Sequence, residues 1–143
     1  MRIVVDSCFW FGLVDVYDEH HVRAADIFEV IKNNAEFIIP FPTLYETLNT
    51  RLLRPMNRGN LSRVETLTAK LKGEPNRYIK IKDTPYIDAA YSKTIENNRR
   101  GLSFVDNIIR EMILDRSLKI ERVLTFNVGD FADICGETPI YCL

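Results

Sequence analysis

The chain has 143 residues, 46% hydrophobic and 27% charged, with a formal net charge of -1 at pH 7. That size predicts one domain spanning residues 1–143 with a real core, and the balanced charge excludes a global basic field, so nucleic acid would have to be held by local patches. Cys8, Cys135 and Cys142 form no C-x-x-C pair and no zinc spacing, and such an odd, sparse set fits a reduced interior better than a disulfide framework.

Met1-Arg2 runs straight into Ile3-Val4-Val5, a β-rich apolar run that predicts a buried first strand. There is no signal-peptide pattern and no apolar stretch long enough to span a bilayer, so a cytoplasmic protein without a membrane partner is expected. Asp6-Ser7 then caps a helix beginning near Cys8, with Phe9, Trp10, Leu13 and Val14 as core candidates. Asp18-Glu19-His20-His21 reads as a break, followed by a helix with Ala24, Ile27, Phe28 and Ile31 on one face. Asn33-Asn34 ends it, and Phe37-Ile38-Ile39 is the second strand, stopped by Pro40 and Pro42. The next helix carries Leu44, Leu48 and Leu52 on one row, and residues 55–60, with Gly59, predict a turn.

Leu61, Val64, Leu67 and Leu71 mark another amphipathic helix, and Tyr78-Ile79-Lys80-Ile81 a strand. Thr84-Pro85 opens a helix with Ile87, Ala90, Tyr91 and Ile95 as its apolar face, ended by Arg99-Arg100-Gly101. Ser103 opens a strongly apolar helix running to about residue 117. Val123-Leu124-Thr125 and Pro139-Ile140-Tyr141 complete the strands. The alternation of single strands with helix pairs predicts an α/β fold: a three-layer α/β/α sandwich on a mostly parallel sheet of about five strands.

Strand ends at one edge of such a sheet converge on a crevice, and three acids fall at such places: Asp6, Glu46 and Asp106. Each also has a plain structural role open to it. Asp6 can be a helix N-cap. Glu46 can close a capping box with Thr43. Ser103 and Asp106 permit the same arrangement, although Asp106 shares a helix row with Ile109 and Ile113 and so points towards the buried side. Carboxylates gathered together repel unless a cation neutralises them, which points to a hard divalent metal and phosphoryl or phosphodiester chemistry. After the strand ending at Thr125, Asn127 and Asp130 suit either turn chemistry or a weak ligand or water-orienting group. Thr125 could hold a carboxylate of the cluster in place.

Weaker signals surround these. Adjacent His20 and His21 would diverge on a helix and not chelate together, Asp88 is expected in solvent, and no Cys-x5-Arg phosphatase loop follows Cys8. Arg51, Arg54, Arg58 and Arg63 stand without an acid between Thr47 and Val64. Arg51, Arg54 and Arg58 are therefore candidate contacts to a phosphate backbone. A haloacid-dehalogenase-type phosphatase would need Asp-x-Asp after the first strand, and a dinucleotide-binding domain a glycine-rich first turn. Neither is present.

Four segments, taken in order, resemble the PIN-domain family, particularly VapC-type ribonuclease toxins. They are Ile3-Val4-Val5-Asp6-Ser7, Pro42-Thr43-Leu44-Tyr45-Glu46-Thr47-Leu48, Leu102-Ser103-Phe104-Val105-Asp106-Asn107-Ile108-Ile109, and Leu124-Thr125-Phe126-Asn127-Val128-Gly129-Asp130-Phe131. The resemblance runs from residue 3 to 131. It implies a PIN-like fold and a metal-dependent endoribonuclease in which Asp6, Glu46 and Asp106 hold one or two Mg²⁺ or Mn²⁺ ions. Ser7 and Thr125 would orient the carboxylates. Asn127 takes a fourth position that many relatives fill with Asp, which lowers the negative charge there, and Asp130 either compensates as a metal ligand or is structural. The family commonly forms homodimers, and its toxins pair with an antitoxin. A PIN-like module that binds RNA or a protein partner without cutting is the alternative that Asn127 leaves open.

Overall fold

The computed structural model describes residues 1–47, 58–96, 100–136 and 140–142. Its strands are β1 (Arg2–Val5), β2 (Glu36–Pro40), β3 (Tyr78–Ile81), β4 (Arg122–Thr125) and β5 (Ile140–Cys142). They make one five-stranded sheet in the order β3-β2-β1-β4-β5, with all pairings parallel. The helices are α1 (Ser7–Val14), α2 (His21–Ile31), α3 (Phe41–Thr47), α4 (Arg58–Gly73), α5 (Ile87–Ile95), α6 (Phe104–Leu114) and the single turn α7 (Val128–Phe131). Among the described residues, no helix is long and apolar enough to cross a membrane.

The pleat explains why the strands read as unbroken apolar runs. Successive side chains leave opposite faces of a strand, and here both faces are covered. Ile3, Val5, Phe37, Ile39 and Leu124 face one layer and join Phe9, Trp10 and Val14 of α1, Ala24, Phe28 and Ile31 of α2, and Val64, Leu67 and Leu71 of α4. Val4, Ile38 and Val123 face the other layer and pack on Ile109 and Ile113 of α6 and Phe131 of α7. A smaller cluster of Ala90, Ile108 and Met112 ties α5 to α6. The three-layer α/β/α expectation holds, and Trp10 is core.

Three boundaries differ from expectation. α4 starts at Arg58, so Gly59 and Asn60 are helical rather than part of a turn. Their weak helix propensity costs about 1 kcal/mol at the glycine, less than the row Val64, Leu67 and Leu71 recovers by burial on the sheet. α6 ends at Leu114, short of residue 117. There Asp115 turns extended and its side chain accepts from the Ser117 N–H, opening a 3-10 turn, while the Tyr86 hydroxyl donates to Asp115 Oδ2 at 2.7 Å. The helix opened by Thr84-Pro85 begins as a 3-10 turn and becomes α5 at Ile87. Leu48 and Leu52 lie outside the described residues.

Candidate active site

Because every strand is parallel, the ends of β1, β2 and β4 lie at one edge of the sheet. β1 is central: the chain passes from it to β2 on one side and returns to β4 on the other. This is a topological switch point, where open α/β sheets form their ligand crevice. Val5 pairs with Leu124, and the Asp6 N–H continues the ladder to the Leu124 carbonyl at 3.0 Å. Asp6 and Thr125 are therefore held side by side.

Asp6 is only 3% exposed, and its carboxylate is satisfied by neighbours rather than water. Oδ1 accepts from the Ser7 N–H at 2.6 Å, the N-cap bond of α1, and from the Ser7 hydroxyl at 3.4 Å. Oδ2 accepts from the Thr125 hydroxyl at 2.8 Å and from the Cys8 thiol at 3.0 Å. The cap and the crevice roles considered for Asp6 thus coexist in one side chain. Thr125 is itself held, accepting from the Asn127 N–H at 2.9 Å.

Cys8 is a member of this network that its sequence neighbourhood did not mark. Its sulfur accepts from the Phe126 N–H at 3.1 Å while the thiol donates to Asp6. Burial first, then the charge of Asp6, push the Cys8 thiol up to about 12. The thiolate is the reactive form, so Cys8 is expected to resist alkylation in the native protein at pH 8 and to be labelled only after unfolding. Peptide mapping after iodoacetamide treatment checks this; rapid native labelling of Cys8 would contradict the buried, donating thiol.

Thr43 is not placed as the N-cap that the alternative capping box with Glu46 needs. α3 already begins at Phe41, directly after β2, so Thr43 is inside the helix. Thr43 is fully buried and its hydroxyl donates to the Val5 carbonyl at 3.3 Å. Glu46 is left to hydrogen-bond the Ser7 side chain, within electrostatic reach of Asp6 and Asp106. Burial, then the charges of Asp6 and Asp106, raise its carboxyl above the ordinary glutamate range. Ser7 thus stands between two carboxylates.

Asp106 does form its capping box: Ser103 caps α6, and Asp106 Oδ2 accepts from the Ser103 N–H at 3.0 Å and from the Ser103 hydroxyl at 2.5 Å. Gly101, at φ +68°, provides the turn just before. Asp130, half-buried on α7, is raised by burial and then by Asp106 and Asp6, with Arg100 and Arg110 opposing. Asn127 is exposed and caps α7 without a side-chain bond. Of the two candidates following β4, it is Asp130 whose charge couples to the other acids.

Behind α7 lies a polar cluster that the motifs did not single out. Arg110 of α6, largely buried, meets Asp133 through both guanidinium nitrogens at 2.8 and 2.7 Å and also donates to the Asp130 carbonyl. Arg100 also pairs with Asp133 and donates to the Gly129 carbonyl. Arg110 hydrogen bonds, reinforced by Arg100, hold the Asp133 carboxyl well below its usual range. The sequence signal for this cluster was an arginine on the buried face of α6, four residues after Asp106, where a cation needs a partner.

His20 and His21 do not chelate together. The His20 ring stacks on Phe126, with centroids 4.1 Å apart; His21 Nδ1 lies 2.8 Å from the Gly12 carbonyl. Asp88 is exposed. Arg51 and Arg54 lie outside the described residues, as does the side chain of Arg58.

The donor set is all oxygen and anionic, the kind a hard divalent cation takes. Burial first, then the charges of Asp6 and Asp106, raise Glu46 and Asp130, and a nearby cation would oppose the charge part of that rise. Among the described residues, however, no three acids, histidines or cysteines are grouped tightly enough to hold a metal ion as they stand. The acids therefore fit the cation in chemistry, and holding one would require some of them to draw in.

No protein-family model matches the chain, and no curated protein matches it. Among solved structures it is similar to Mycobacterium tuberculosis VapC20, described as a sarcin–ricin loop cleaving toxin, with a TM-score of 0.66 at 17% identity over 92% of this chain and 94% of that one. The fold is thus PIN-like, an α/β sandwich on a parallel sheet.

Proposed function

We propose that the protein is a metal-dependent endoribonuclease that hydrolyses RNA phosphodiester bonds, acting as the toxin of a type II toxin–antitoxin pair. The observation that carries this reading is that Asp6, Glu46, Asp106 and Asp130, from four separate elements, are coupled electrostatically at the switch-point edge of the sheet. The likeness to VapC20, a toxin that cleaves the sarcin–ricin loop, supports the class of substrate. A homodimer, a cognate antitoxin and a cytoplasmic setting belong to the same reading, as do phosphate contacts from Arg51, Arg54 and Arg58.

In this reading Asp6, Asp106, Glu46 and Asp130 hold Mg²⁺ or Mn²⁺, and Asn127 lies at the rim, where it can orient water or substrate. The cation supplies a charge sink for the phosphate oxygens and acidifies water. The chain's own residues do the rest. Thr125, Cys8 and Ser7 hydrogen-bond the two oxygens of Asp6 and keep its rotamer fixed. The Ser103 cap fixes Asp106 through Oδ2. Glu46, whose carboxyl is raised above the ordinary glutamate range by burial and by the charges of Asp6 and Asp106, is the candidate to position water or accept its proton.

A second reading, a PIN-like module that binds RNA or a protein without cleaving, draws on the loose grouping of the acids and the exposed Asn127. The two separate in one assay: cleavage of a mixed cellular RNA pool with Mn²⁺ or Mg²⁺, comparing wild type and Asp106→Asn. Metal-dependent cuts that fall by at least about 100-fold in the variant are expected. No cleavage by either protein, together with no Mn²⁺ binding, would select the binding module.

A further inference from the structure

We propose that Asp133, through the Arg110 and Arg100 guanidinium groups it holds, is a positioning residue that sets Asp130 against Asp106 for cation binding. The inference rests on the nuclease reading above.

α7 is four residues long, a single turn, and one turn has almost no helical stability of its own. Asn127, its N-cap, adds no side-chain bond. On the apolar side, Phe131 anchors it in the core. On the polar side, two carbonyls are gripped from outside: Asp130 by Arg110 and Gly129 by Arg100. Both arginines converge on one carboxylate, Asp133, and Arg110 meets it as a fork on two oxygens at 2.8 and 2.7 Å. A fork fixes the plane of the guanidinium as well as its distance.

Arg110 stands four residues after Asp106 on α6, so the two share a helix face one turn apart. The helix that carries Asp106 therefore holds the Asp130 backbone through its own arginine. Asp133 is exposed while Arg110 is largely buried, so the fork also satisfies a cation that burial would otherwise penalise. Beyond that, the cluster provides register between two acids on elements that, among the described residues, share no backbone hydrogen bond. It also gives this chain a route to a fourth carboxylate although Asn occupies position 127.

The test is a double-mutant cycle read as Mn²⁺ affinity by isothermal titration calorimetry, with thermal melts confirming that each variant is folded. Asp130→Asn and Asp133→Asn should each weaken Mn²⁺ by about 10-fold or more, the size expected when support for a metal ligand is lost. The double variant should be within about twofold of Asp130→Asn alone, because Asp133 acts through Asp130. Arg110→Lys, which keeps the charge and loses the fork, should reproduce the Asp133→Asn loss even where Asp133→Asn folds poorly. Losses that multiply in the double variant, or an Asp133→Asn protein with wild-type affinity while Asp130→Asn is weakened, would overturn the positioning role and leave the nuclease reading standing. Failure of the wild-type protein to bind Mn²⁺ would overturn that reading, and this proposal with it.

Discussion

Asp6→Asn should reduce metal-dependent RNA cleavage by at least ~1,000-fold while the protein stays folded. Two losses combine. The first is the anionic oxygen at the centre of the acid group, next to Glu46 and within reach of Asp130. The second is orientation. The carboxylate accepts on both oxygens, from Ser7 on one and from Thr125 and Cys8 on the other. An amide offers one oxygen, so its NH₂ must face donors on one side. That mismatch in a site only 3% exposed costs about 1–3 kcal/mol, partly offset because one charge leaves a crowded acidic site. Cleavage kinetics beside a thermal melt separate the two effects. A variant that cleaves at the wild-type rate would remove Asp6 from the chemistry, and one that does not fold would show that its donors matter chiefly to stability.

What could be read from the sequence, and what could not, divides along local and non-local physics. Ile3-Val4-Val5, Phe37-Ile38-Ile39 and Val123-Leu124-Thr125 announced strands buried on both faces, because parallel strands covered by helices lose the alternation of half-exposed ones. The Ser103 cap was equally visible, since donor and acceptor lie three residues apart. Thr43 and Glu46 have the same local pattern and yet make no box. Nothing within the motif says that α3 starts at Phe41, hard against β2, and that Thr43 will be drawn to the Val5 carbonyl across the sheet edge. The Arg100–Asp133–Arg110 cluster was missed for the same reason: its members come from three segments, and only Arg110 carried a local hint. The bonds of Cys8 were not legible because its partners, Asp6 and the Phe126 N–H, meet only when β1 and β4 pair.

Glu46→Gln should lose at least ~100-fold in cleavage and yet melt at a higher temperature than wild type at pH 7 without added metal. The sign follows from the raised carboxyl. Burial and the charges of Asp6 and Asp106 make ionisation of Glu46 harder in the folded protein than in the unfolded chain. Its contribution is therefore fully favourable only below the unfolded-state value and is lost as pH rises through the folded-state value. At pH 7, above the ordinary glutamate range, the group opposes folding, and the neutral amide removes that opposition while keeping a polar group for Ser7. The stabilisation should shrink as pH falls towards the acid range, where wild type is itself protonated. Added Mn²⁺ should reverse the order, because a cation that binds only the folded state raises its melting temperature by mass action, and more for the protein that keeps all its carboxylates. Melting curves at pH 4.5 and 7, with and without Mn²⁺, test each step. A Glu46→Gln protein that melts lower than wild type at pH 7 without metal would mean that Glu46 supports the fold through Ser7 and is not held under charge repulsion. An unchanged response to Mn²⁺ would place the side chain outside the cation site.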